Sequence, residues 1–239
     1  MSARTLLITL AGPQQAWGSR SRYATRGTEP APTRSGVLGM VAAALGMPRT
    51  APLDRFDAIR FGVRVDRPGR LERDFQTART LDGSTSMPLS SRHYLADAVF
   101  LAGLESEDAT LLEEIREALR RPVHPLYLGR RAFPPAGPLP LELVELPLSE
   151  AFASTPWRGG RRSARRASTP LEAYVDAGPE DRVDLSLQDV PRSFDPRRRI
   201  HEWRDVTRIT VTPPGLLPAE PSARPQEHDP MLLVSDEEV

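Results

Sequence analysis

Residues 58–66 read Ala58-Ile59-Arg60-Phe61-Gly62-Val63-Arg64-Val65-Asp66, and the strict alternation predicts a half-buried β-strand. Ile59, Phe61, Val63 and Val65 share one face; Arg60, Gly62, Arg64 and Asp66 share the other. Just upstream, Pro32-Thr33-Arg34-Ser35 opens a helix with Thr33 or Ser35 as N-cap. Val37, Leu38, Val41, Ala44 and Leu45 form its apolar stripe, and Gly46 and Pro48 close it. Further upstream, Arg4 to Leu10 is a buried strand ending at Gly12-Pro13. Strand, helix and strand therefore follow one another in the first 66 residues.

Downstream, Arg67-Pro68-Gly69 predicts a turn and Leu71 to Thr77 a returning hairpin strand. The polar stretch Leu81 to Pro88 breaks the pattern, and Tyr94 to Leu104 resumes it as a strand. Asp108 to Arg121 is a second amphipathic helix, and Pro125 to Leu128 a short final strand. The order β-α-β-(hairpin insertion)-β-α-β predicts an α+β fold with a ferredoxin-like, RRM-like core. Two helices would then cover one sheet face and leave the other open, with Arg60 and Arg64 on it. Such a face suits nucleic acid, and half-exposed strands also carry arginine for solubility. The ribonucleoprotein aromatic signature is missing, since Arg60-Phe61-Gly62-Val63 only grazes it.

Residues 1–138 are thus expected to form the core, with the insertion near 80–93. Short strand-like pieces (Leu141–Leu146, Leu171–Val175, Arg208–Val211) predict a small C-terminal β-rich part over 139–212. Ser154 to Thr169 holds Arg158, Arg161, Arg162, Arg165 and Arg166 without an acid, which predicts a mobile basic loop. Residues 213–239 are Pro- and acid-rich, the composition of a disordered tail.

The 239 residues are 39% hydrophobic and 27% charged, the balance of a soluble globular protein. No apolar run approaches a membrane span and no signal-peptide pattern opens the chain, so a cytoplasmic protein without membrane contact is expected. There is no cysteine, which excludes disulfides, thiolate metal sites and cysteine nucleophiles. All 32 basic residues are arginine, which excludes Schiff-base, Walker-type and general-base lysines. Codon bias of a GC-rich genome is one explanation. Either way, every cation is a planar fork suited to phosphate and to stacking on bases. The formal charge is zero, yet residues 1–80 carry 13 Arg against 6 acids and residues 221–239 carry 1 against 5. A local anion-binding face is compatible with that neutrality.

His93, His124, His201 and His228 have no metal-ligand spacing, and no nucleophile elbow, Walker loop or dinucleotide fingerprint is present. No metal and no cofactor is expected. His93, His124 and His201 could in principle support metal-independent RNA cleavage, which needs a base and an acid, and each also has an ordinary structural reading. Gly36-x-x-Gly39 falls inside the helix start and reads as close packing rather than a nucleotide clamp. The richest stretch is Gly12 to Tyr23, where Gln14, Trp17, Arg20 and Arg22 could meet base edges, a base face and phosphates. Trp17 could equally plug the core under the loop. Gly129-Arg130-Arg131 follows a strand and could hold a phosphate, or else pair with Glu113, Glu114 and Glu117.

Six blocks taken together are specific: 10–18 (LAGPQQAWG), 32–39 (PTRSGVLG), 61–69 (FGVRVDRPG), 94–101 (YLADAVFL), 125–131 (PLYLGRR) and 189–195 (DVPRSFD). They resemble the CasD family, the type I-E member of CRISPR-associated protein family five, over roughly residues 5–211. The resemblance implies a RAMP-superfamily core with a protruding thumb and a small C-terminal part. It implies a non-catalytic subunit of the Cascade surveillance complex that holds the 5′ handle of CRISPR RNA and caps the backbone-subunit filament. The implied partners are that RNA, the backbone and large subunits and, through the complex, target DNA. Gln14, Trp17, Arg20, Arg22, Thr33, Arg34, Ser35, Arg60, Arg64, Arg130 and Arg131 are the expected RNA contacts. The alternatives are an endoribonuclease that processes precursor CRISPR RNA, and a scaffold that touches no RNA.

Overall fold

A computed structural model describes residues 3–18, 25–160 and 170–216. The chain begins with β1 (Arg4–Ala11), β2 (Gln14–Gln15), β3 (Thr25–Arg26) and α1 (Arg34–Ala44). It continues through β4 (Arg60–Arg67), β5 (Arg70–Gln76), β6 (Ser90–Ala96), β7 (Val99–Ser106) and α2 (Ala109–Arg120). β8 (Leu141–Val144), α3 (Leu148–Ser154), β9 (Leu171–Asp176), β10 (Leu185–Ser193) and β11 (Ile200–Val211) complete it.

Seven strands form one sheet in the order β10-β11-β9-β4-β7-β1-β8, with antiparallel neighbours throughout. Around α1 and α2 the spatial order of β1, β4, β7 and β8 is fourth, first, third, second. The fourth strand is β8, not 125–128. Pro125 to Leu128 runs without strand pairing: Pro125 has no ladder donor, and the Leu128 N–H is spent on the Phe133 carbonyl within its own turn. Leu141–Leu146, expected in a separate C-terminal part, supplies that strand. β9, β10 and β11 extend the same sheet from β4, so the C-terminal strands are continuous with the core.

The helix boundaries follow their caps. Thr33 accepts from the Gly36 N–H at 3.2 Å, and Asp108 from the Leu111 N–H at 3.0 Å. Both helices bury their apolar stripes against Ile8, Phe61, Val63, Phe100 and Leu104, as the alternation of 59–65 requires.

The opposite face is covered rather than open. Gly62 and Gly103 pair across β4 and β7, and an added Cβ would lie 2.8 Å and 2.3 Å from the Leu148 side chain. The missing side chains make room for α3, whose Leu148, Ala151 and Phe152 seal a second core with Leu7, Leu101, Ala173 and Val175. Arg64, expected to reach outward from this face, is wholly buried. Its guanidinium meets both Asp66 oxygens (2.6 and 2.9 Å) and the carbonyls of Phe152, Thr155 (2.7 Å) and Pro156 (3.1 Å). It therefore closes the unpaired carbonyl end of α3. Arg60 is half-exposed, bonded to the Asp176 carbonyl at 3.1 Å and near Asp181 at 3.4 Å.

The predicted hairpin also re-pairs. After β4 the chain leaves the large sheet at Gly69 (φ +75°), where a Cβ would sit 2.6 Å from the Ala96 carbonyl oxygen, and enters β5. β5 pairs with β6 in a second, four-stranded sheet with β2 and β3. The single strand predicted over 94–104 is two strands, broken at Asp97 (φ 57°). No described helix is long and apolar enough to cross a membrane. The predicted disordered tail lies outside the described residues from 217 onward, as do Arg161, Arg162, Arg165 and Arg166.

Candidate nucleic-acid interface

Ala16 and Trp17 sit at the junction of several elements. The Ala16 N–H donates to the Leu128 carbonyl at 3.1 Å, and Leu128 N–H to Phe133 at 2.7 Å, so 128–133 forms a closed turn docked on 16. Gly129 holds φ +86° in this turn; a Cβ there would fall 1.7 Å from the Ala16 carbonyl oxygen. Trp17 is 1% exposed, donating from Nε1 to the Gln15 amide oxygen at 3.1 Å. Its ring lies against Gly36, whose Cβ would approach within 2.7 Å. Trp17 thus plugs the core beneath the helix start and offers no face to a base. Gly36 and Gly39 serve packing, against Trp17 and Phe194.

Above this plug runs a groove of about 1140 Å³ between the start of α1, the 124–131 segment and the turn from β10 to β11. Arg26, Arg49, Arg130, Arg131 and Arg199 line it, with His124 and His201; no acidic residue does so among the described residues. Arg130 donates to the carbonyls of Arg26 (3.1 Å) and Gly27 (3.4 Å) and stands 5.7 Å from the Phe133 ring centre. Burial, and after it the charges of Arg92 and Arg26, push its guanidinium below the usual range. Cations crowded without an acid leave a positive potential that a bound anion relieves. The alternative partners of Arg130 and Arg131 are taken elsewhere: Glu113 pairs with Arg116, Glu114 with Arg55 and Glu117 with Arg121.

Of the expected contacts, the groove gathers Trp17, Thr33, Ser35, Arg130 and Arg131. Gln14 pairs with Ala96 in the second sheet and is not part of the lining. Arg20 and Arg22 lie outside the described residues. Arg34 is 7% exposed and faces inward: it meets Asp176 at 2.6 Å and the Phe56 carbonyl at 3.2 Å. Asp189 accepts the Arg34 backbone N–H at 2.7 Å, and Arg204 reaches Asp189 and Asp176 at 2.6 Å each. Burial opposes the Arg204 charge, but the bonds and charges of Asp189 and Asp176 outweigh it and raise the guanidinium above its usual range. This buried quartet fixes the start of α1. Arg26, Arg49 and Arg199 escaped the sequence reading because positions 26, 49 and 199 converge only in the folded chain. The run Arg197-Arg198-Arg199 was the one available signal.

The mixed α/β fold with antiparallel sheets is shared with a known class. Residues 5–207 match the model of the CRISPR-associated protein (Cas_Cas5) family, and the chain belongs to that family. It is 36% identical over 154 residues to the CRISPR system Cascade subunit CasD of Escherichia coli (strain K12), covering 56% of this chain and 68% of that protein. A chain of a CRISPR RNA-guided surveillance complex superposes with TM-score 0.74 at 35% identity, over 92% of this chain and 95% of that one. A second solved Cas protein gives TM-score 0.68 at 38% identity, over 91% and 99%.

Proposed function

We propose that the chain is the non-catalytic subunit of a type I-E Cascade surveillance complex that holds the 5′ handle of CRISPR RNA and caps the backbone-subunit filament. The observation that carries this reading is the groove along α1, lined by five arginines with no acid among the described lining residues. Kinship to a Cascade subunit supports the assembly role, with the backbone and large subunits as partners, target DNA reached through the complex, and a cytoplasmic location. Thr33, Ser35, Arg130 and Arg131 are the contacts retained from the sequence, joined by Arg26, Arg49 and Arg199. The fourth-first-third-second strand order supports a ferredoxin-like RAMP core, and the β5–β6 hairpin takes the thumb's place. In this reading the core ends after β8, and residues 148–211 form its C-terminal extension.

Assembly of the chain with the backbone subunits and CRISPR RNA, followed by photo-crosslinking, should place it on the handle nucleotides at the 5′ end. Crosslinks confined to the spacer or the 3′ end would sink the assignment. With the processing nuclease present, His93→Ala, His124→Ala and His201→Ala together should leave RNA maturation intact; accumulated precursor would favour the ribonuclease reading.

A further inference from the structure

β6 carries a second cationic patch at the edge of the groove. Arg92 lies opposite Arg26 where β3 runs parallel to β6, so two guanidiniums share one rung of the second sheet. Arg130 joins them, donating to the Arg26 and Gly27 carbonyls and feeling the charge of both arginines. Among the described residues none of the three forms an ion pair. Arg92 Nε donates only to the Ser90 hydroxyl, at 3.2 Å. Asp74 faces Arg92 across the β5–β6 ladder, but its oxygens accept the Phe75 N–H at 2.8 Å and the Gln76 amide at 2.6 Å. Three like charges gathered in this way repel one another, and a bound anion relieves that repulsion.

The patch also has an aromatic floor. Tyr94 stands two residues from Arg92 on the same face of β6 and is half-buried. Its ring centre lies 5.6 Å from that of Phe133, and Arg130 stands 5.7 Å from the Phe133 centre on its own account. Guanidiniums for phosphates beside aromatic rings for base faces are the composition of a single-strand site. An acidic peptide would use the guanidiniums and leave the ring idle. Arg26 and Arg130 line the groove as well, whereas Arg92 and Tyr94 do not, so the patch continues the groove rather than repeating it.

We propose that Arg92 and Tyr94 extend the RNA site out of the groove onto β6, Arg92 holding a phosphate and Tyr94 stacking on a base of the adjoining nucleotides. That the polymer is CRISPR RNA rests on the function proposed above.

Fluorescence anisotropy of the whole chain with an RNA carrying the handle and the adjoining spacer nucleotides, over a salt series, tests both contacts. Arg92→Ala should weaken binding at least about tenfold and shrink the slope of log affinity against log salt by about 0.7. Arg92→Lys should keep the slope, because it keeps the charge. Tyr94→Leu, which still covers Phe133, should weaken binding about tenfold at an unchanged slope, and Tyr94→Phe should bind like the parent. An unchanged slope in Arg92→Ala would overturn the phosphate contact whatever the affinity, since a merely structural arginine does not move it. Tyr94→Leu at parent affinity, or Tyr94→Phe as weak as Tyr94→Leu, would overturn the stacking. If Arg130→Ala/Arg131→Ala leaves RNA binding unchanged while Arg92→Ala weakens it, the groove reading fails and the β6 site stands; the reverse pair of results overturns the β6 site alone. A parent chain that binds no RNA would overturn both.

Discussion

Gly129 sits at φ +86° with the Ala16 carbonyl where its Cβ would be, so Gly129→Ala must unseat the turn that carries Arg130 and Arg131. The expected loss is about 2 kcal/mol or more, a melting-temperature fall of roughly 4–8 °C, checked by thermal denaturation. The two arginines beside it behave differently. Arg130→Ala with Arg131→Ala should remove charge-assisted contacts of about 1.5–3 kcal/mol each, at least about a hundredfold in handle affinity. The slope of log affinity against log salt should shrink by about 0.7 per lost contact, measured by anisotropy across a salt series. Stability should fall by no more than about 1–2 kcal/mol, the worth of the Arg130 bonds to the Arg26 and Gly27 carbonyls, because the nearby acids are engaged with other arginines. Arg64 is the contrasting case. Removing it strands a buried Asp66 and the carbonyl end of α3, so Arg64→Ala should cost about 3–5 kcal/mol in denaturant unfolding, and handle affinity of the folded fraction should hold.

Elements divide along the same lines as their contacts. The tip between β5 and β6 is closed by local bonds, Met87 N–H to Ala78 at 2.8 Å and Thr80 N–H to Thr85 at 3.0 Å. Leu71, Phe75, Leu81, Met87 and Leu89 are exposed on this hairpin. Replacing residues 78–88 with a short Gly-Ser turn should therefore shift the melting temperature by no more than about 4 °C while impairing assembly with the other Cascade proteins. A larger fall in the isolated protein would show that the tip stabilises the core. The replacement must stop before Ser90, because β6 begins there and anchors β2, β3 and β5.

At the scale of the molecule, Asp176, Asp189 and Arg204 bring β9, β10 and β11 onto the start of α1, so the C-terminal strands position the groove. Asp189→Ala leaves Arg204 with half its compensation and the Arg34 N–H unpaired. The expected cost is about 3–5 kcal/mol in denaturant unfolding. Arg60→Ala, at a half-exposed pair, should cost no more than about 1 kcal/mol. Equal costs for the two would contradict the linking role of the quartet.

The sequence alone determined what short-range physics controls. Alternation at 59–65 named the face that meets α1 and α2, Thr33 and Asp108 named the helix starts, and the absence of Lys and Cys set the available chemistry. The Gly129-Arg130-Arg131 turn was legible as a turn presenting two cations because glycine and paired guanidiniums act within three residues. Only the tertiary structure decided the fates of Arg34 and Arg64. Each looks like an exposed cation in sequence, but the Arg34 guanidinium pairs with Asp176, 142 positions away, and Arg64, paired with Asp66, is enclosed by the carbonyls of Phe152, Thr155 and Pro156, 88 to 92 positions away. The second helix-covered face was illegible for a related reason: Gly62 and Gly103 carry no side chain to signal that α3 lies on them. Arg26, Arg49 and Arg199 meet at one groove because the strand order brings them together, and pairing between distant strands leaves no local trace in the chain.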